Sequence, residues 1–154
     1  MSAVVDVQRQ VEGGPSDENL RRWVEAVLAT EGRTEPLELT VRIVDAEEIA
    51  ALNERYRHKT GPTNVLSFPF EAPPGVDLNL LGDLVIAAPV VAGEARAQGK
   101  EETAHWAHLV VHGILHLLGY DHQEPARTEI MERREIRILR ELGFPDPYVL
   151  DEAS

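Results

Sequence analysis

Residues 37–56 read L-E-L-T-V-R-I-V-D-A-E-E-I-A-A-L-N-E-R-Y, and the hydrophobic period changes in the middle of the stretch. Leu37, Leu39, Val41 and Ile43 alternate with Glu38, Thr40 and Arg42, the pattern of a strand with one face buried. Asp45 follows with Glu48 three residues on. That pairing resembles a capping box, and it opens a helix through Ile49, Leu52 and Tyr56. A strand that passes directly into a helix belongs to a fold that mixes the two.

The same change of period recurs on either side. Upstream, residues 4–10 form a short first strand, Gly13-Gly14-Pro15 breaks it, and Ser16 caps a helix whose apolar face includes Leu20, Trp23, Val24 and Val27. Downstream, Gly61-Pro62 is expected to end the helix of the opening stretch. Residues 64–70 form a strand in which Pro69 demands an edge or terminating position, and residues 81–87 form another. Helices are expected over 88–98, 103–118 and 128–142, the last two stopped by Gly119 and Gly143. Some strands are thus joined through helices and others by a loop too short for a helical crossover. The expectation is an α+β fold, a single domain over residues 1–154 with a mixed sheet of about four strands and about five helices.

Composition narrows the function. The 154 residues carry 15 basic and 27 acidic side chains, a formal charge of -12, so the average field repels phosphate backbones and anionic membranes, and any nucleic-acid contact has to be local. The absence of cysteine removes disulfides, cysteine-rich zinc fingers and thiol nucleophiles together and fits a reducing compartment. The opening residues are too polar for a signal peptide, and the longest apolar run, 84–93, is interrupted by Pro89. These features predict a soluble, cytoplasmic protein.

Four of the six histidines, His105, His108, His112 and His116, fall on one face of the expected 103–118 helix. His108 and His116 are separated by about 12 Å of helix rise, too far to share a zinc that holds nitrogen at about 2.1 Å, so one i,i+4 pair has to be chosen. Gly119 favours His112 and His116, because a chain reversed there can bring His122 back to the same point. The resulting H-x-x-x-H-x-x-G-x-x-H supplies three imidazoles and leaves the fourth tetrahedral position open, which suits one catalytic zinc ion per chain. His105 and His108 read as ordinary helix-face histidines, with His108 also placed to support a ligand. Asp121 serves equally well as a turn residue or as an orienter of a ligand imidazole. The metzincin peptidases share this spacing but carry glutamate directly after the first histidine as general base. Here that position is Gly113, so another group supplies the base or the substrate needs none, as RNA with its 2′-hydroxyl would not.

His112-Gly113-Ile114-Leu115-His116-Leu117-Leu118-Gly119-Tyr120-Asp121-His122 resembles the signature of the YbeY endoribonucleases, the bacterial ribosomal-RNA maturation factors. N-E-R-Y-R-H-K-T-G-P-T-N-V-L-S-F-P-F over residues 53–70 is similar to that family's Y-R-x-x-x-x-P-T-[DN]-V-L-S-F-P block, and L-G-D-L-V-I over 81–86 to its L-G-D-[IL]-x-I strand. Lys59-Thr60-Gly61 departs from the family by lacking the acidic residue often found shortly after the arginine. The resemblance implies a metal-dependent endoribonuclease specific for single-stranded RNA. It would act at the 3′ end of the small-subunit (16S) ribosomal RNA and in ribosome quality control, recruited by a ribosomal protein or an assembly GTPase. It maps the zinc ligands onto His112, His116 and His122 and the functional arginine onto Arg57. Read from the residues alone, Arg57 divides evenly between a phosphate-binding guanidinium and a solvated cation at a helix end. A zinc metalloprotease, or a non-catalytic ribosome-assembly factor with structural zinc, are the competing readings.

Overall fold

The structure, a computed structural model, describes residues 3–76, 79–121 and 123–149. Along them run β1 (Ala3–Arg9), α1 (Asp17–Thr30), β2 (Leu37–Val44), α2 (Ala46–Arg57), β3 (Val65–Pro69), β4 (Leu80–Ala87), α3 (Ala88–Gln98), α4 (Glu102–Leu117) and α5 (Pro125–Glu141). The sheet has the order β1-β2-β4-β3, with β1 and β4 parallel to β2 and β3 antiparallel to β4. The fold is therefore α+β with a four-stranded mixed sheet, as the sequence predicts. A parallel neighbour needs a crossover, which α1 supplies between β1 and β2. β3 lies at the sheet edge, where Pro69 leaves no inner ladder bond unmade.

Alternation along β2 decides which face meets which helices. Leu39, Val41 and Ile43 join Leu84 and Ile86 of β4 against Leu20, Trp23 and Val27 of α1 and Val110 and Ile114 of α4. Each such side chain contributes about 1.5–3 kcal/mol when fully withdrawn from water. α5 completes this core through Met131, Ile138 and Leu139. A smaller cluster on the other face, Val44, Ile49, Leu66, Val85 and Ala87, lies beneath Leu52 of α2 and Val90 of α3. α4 contacts α1, α3, α5 and the sheet at β3 and β4, and its histidine row is presented toward the sheet edge at β3.

Both expected N-caps form, although the Glu48 carboxylate accepts from Arg42 at 2.8 Å and the capping box is one-sided. Ser16 Oγ accepts from the Asn19 amide at 3.1 Å and Asp45 Oδ1 from the Glu48 amide at 2.8 Å. Two boundaries differ from the sequence reading by more than one residue. α2 stops at Arg57 rather than running to Gly61, because His58 adopts a left-handed backbone with φ 57° and donates its amide to the Glu54 carbonyl, while the Lys59 amide donates to that of Asn53. α5 begins at Pro125, three residues before the expected Thr128. A proline at the first helical position loses no hydrogen bond and presets the helical φ, so here it starts the helix.

Candidate metal centre

The i,i+3 and i,i+4 spacings of α4 set its four histidines in a row, and each finds different surroundings. His105 is buried, and its Nε2 lies 2.9 Å from Glu94 Oε1, which also accepts from Asn64 Nδ2 at 3.0 Å. It joins α3, α4 and the chain entering β3, the structural role expected of it. One turn on, His108 Nε2 approaches Glu135 Oε1 at 2.9 Å and the Tyr148 hydroxyl at 3.1 Å. His112 Nδ1 lies 2.7 Å from Glu135 Oε2. The rings of His112 and His116 stack edge to face, with centroids 4.7 Å apart.

Glu135 and Tyr148 were not anticipated. Glu135 has no exposed surface and stands on α5 in the same stripe as Met131, Ile138 and Leu139. An acidic residue at an apolar position of an amphipathic helix was the available signal, concealed by the heavy charge of the rest of that helix. Burial pushes the Glu135 carboxyl upward, but the hydrogen bonds it accepts from His108, His112 and the Tyr148 hydroxyl outweigh it and hold the pKa at about 2. The Tyr148 hydroxyl donates to Glu135 Oε1. Its own pKa is driven well above the usual phenol range by burial and by that carboxylate. His108, His112 and Glu135 form a group that could hold a metal ion.

Arg57, at the last turn of α2, lines a groove of about 510 Å³ together with Ser67 of β3 and His108, His112, His116 and Tyr148. The fold thus brings the expected arginine to the same groove as two of the three expected metal ligands. His122, the third, lies outside the described residues. The chain on both sides of it is braced. Gly119, at φ 106°, donates its amide to the His116 carbonyl and Tyr120 donates to that of Leu115, the paired bonds of a left-handed helix stop. Tyr120 then donates its hydroxyl to Glu31 Oε1 at 2.5 Å. Asp121 takes the part of a turn residue, accepting from the Gln123 amide at 3.3 Å and from Arg127 at 3.1 Å.

Gly113, which occupies the position of the peptidase glutamate, faces the sheet. A Cβ built there would stand 2.6 Å from Leu84 Cδ2 and 3.3 Å from Ser67 Oγ. α4 packs against β4 and β3 closely enough that any longer side chain would have to displace Leu84. Of the other basic residues in the 55–59 cluster, Arg55 lies over the Tyr56 ring at 5.4 Å, and Tyr56 in turn meets Phe68 of β3 at 5.3 Å.

Comparison with known proteins gives a consistent relationship. A protein of Alkalilimnicola ehrlichii named Endoribonuclease YbeY is 61% identical over 142 residues, covering 91% of this chain and 86% of its own. One of the same name from Alteromonas mediterranea is 52% identical over 159 residues, covering 99% of this chain and 100% of its own. The solution structure of TM1509 from Thermotoga maritima superimposes with a TM-score of 0.60 at 25% identity, over 95% of this chain and 99% of that one. The family described as Endoribonuclease YbeY matches residues 6–143, a span that contains the arginine, the histidine row and the buried glutamate, and the chain belongs to that family.

Proposed function

We propose that the protein is a zinc-dependent endoribonuclease acting on single-stranded RNA, with Arg57 binding the scissile phosphate and His112, His116 and His122 holding one zinc ion. The observation that carries this reading is the shared groove, in which a guanidinium and an imidazole pair face one space while the position of a peptidase base is filled by helix-to-sheet packing. Neutral imidazoles suit zinc better than magnesium, and His112 has the carboxylate partner that metal-binding histidines generally need at their other nitrogen. When bound, the ion supplies Lewis-acid polarisation of a phosphodiester oxygen. Arg57 contributes two oriented hydrogen bonds to the phosphate and offsets its developing charge, while β3 and Tyr148 wall the groove.

The relatives named Endoribonuclease YbeY support RNA as substrate. Within that class we assign the 3′ end of the small-subunit 16S ribosomal RNA and the quality control of ribosomes, in the cytoplasm, by one domain spanning residues 1–154. A chain of charge -12 gains little from diffusive attraction to RNA, and a ribosomal protein or assembly GTPase that delivers it solves that difficulty. No helix among the described residues is long and apolar enough to cross a membrane.

Arg57→Ala tests the assignment. It should keep its zinc and its fold while cleavage of a labelled single-stranded RNA drops by about 10²–10³, with His112→Ala purified in parallel as the control for contaminating ribonuclease. Peptide cleavage that survives Arg57→Ala, with no RNA cleavage above the control, would instead establish the metalloprotease reading.

A further inference from the structure

Among the described residues Glu135 is the only acidic side chain that is buried. An unpaired carboxylate in such a place costs several kcal/mol, and an apolar residue would pack the stripe of Met131, Ile138 and Leu139 without that cost. Its hydrogen bonds account for its presence. A carboxylate only accepts, so each of its three partners donates: His112 through Nδ1, His108 through Nε2 and Tyr148 through its hydroxyl. The proton on His108 Nε2 agrees with the buried Nδ1 of that ring, which has no hydrogen-bond partner among the described residues and is read as carrying the lone pair. A ring that donates from Nδ1 meets any further partner through Nε2, and His112 shares the groove with His116 and Arg57.

We infer that Glu135 is a positioning residue that locks His112 in the Nδ1–H tautomer, the one that leaves Nε2 to bind a metal, and, through Tyr148, ties the C-terminal segment at 144–149 to the same carboxylate as one wall of the groove. The inference rests on the reading of His112 as a ligand. In the alternative, Glu135 as a ligand beside His108 and His112, the groups would have to draw apart to admit the ion. Two donors about 2.1 Å from one tetrahedral ion lie roughly 3.4 Å apart, whereas the N–O separations here are 2.7 and 2.9 Å, the length of a hydrogen bond. Glu135 Oε1 is thus shared by His108 and Tyr148, and Oε2 is given to His112. Loss of the carboxylate therefore frees the imidazole tautomer and the wall together.

Long-range proton–nitrogen correlation spectra of the histidine-labelled, metal-free protein read the tautomer directly. In wild type and in Tyr148→Phe, His112 is expected to carry its proton on Nδ1. In Glu135→Gln it is expected to populate both tautomers, still to take up one zinc per chain, and to bind it about 10–100-fold more weakly in chelator competition. A wild-type His112 protonated on Nε2 overturns the inference even if Glu135→Gln fails to fold. So does zinc affinity unchanged in a folded Glu135→Gln. If Glu135→Gln and His108→Ala both bind no zinc, Glu135 is a ligand and not a positioner. His112→Ala that keeps its zinc removes the ligand assignment itself, which separates failure of the metal site from failure of Glu135 alone.

Discussion

At position 113 the side chain is a hydrogen atom, and that fact separates two kinds of hydrolase. The sequence shows that the glutamate of the peptidase pattern is missing. The packing adds that restoring it would force Leu84 to move, since a Cβ would already meet its Cδ2 at 2.6 Å. Gly113→Glu is accordingly expected to lower stability by about 1–3 kcal/mol through overpacking, measured as a lower urea midpoint, and to confer no peptidase activity. A variant as stable as wild type would show that the helix-to-sheet gap has room. Arg57 makes a second residue-scale prediction. Arg57→Lys should recover only part of the RNA cleavage lost in Arg57→Ala, because an ammonium cannot reproduce the bidentate fork, and a rate equal to wild type would reduce Arg57 to a point charge. Both residues were legible in the sequence as types at positions. Glu135 was not, because the sequence shows a charge on a highly charged helix and cannot show that this one charge faces inward.

At the scale of elements, the end of α4 carries the geometry of the site. Gly119 takes φ 106° with no described residue within 4 Å of the space a Cβ would occupy, so the demand there is on the backbone and not on packing. A β-branched residue in that conformation is strained by about 1–3 kcal/mol. Gly119→Val should therefore keep α4 and its circular dichroism yet weaken zinc binding several-fold, and unchanged affinity would mean that the approach of residue 122 does not depend on this turn. The glycine stop was readable because its chemistry is local. The end of α2 was not. Gly61-Pro62 is the stronger local signal, but His58 ends the helix first, in a left-handed conformation that non-glycine residues seldom adopt. That early stop lets the chain turn after Arg57 and run into β3 across the groove. Pro125 shows the opposite ambiguity, since the same ring stops a helix from within and starts one from its first turn.

At the scale of the whole molecule, the main core runs through α1, α4, α5 and the sheet, and it draws on none of the histidines in the groove. Removal of the metal with a chelator is thus expected to leave the far-ultraviolet circular dichroism intact and to lower the melting temperature only by the linkage contribution of a bound ligand. Collapse of the fold on chelation would favour a structural zinc and the non-catalytic reading. By itself, the sequence determined the secondary elements, the mixed character of the sheet, the row of histidines and the glycine that ends it, because periodicity, caps and turn residues act over a few neighbours. The tertiary structure alone decided the strand order, the meeting of Arg57 with the histidines across the β3 edge, and the burial of Glu135 between His108, His112 and Tyr148. Each of these joins residues far apart in the chain, and which of them meet is set by how the helices pack on the sheet, a property of the assembled core that no single stretch of sequence contains.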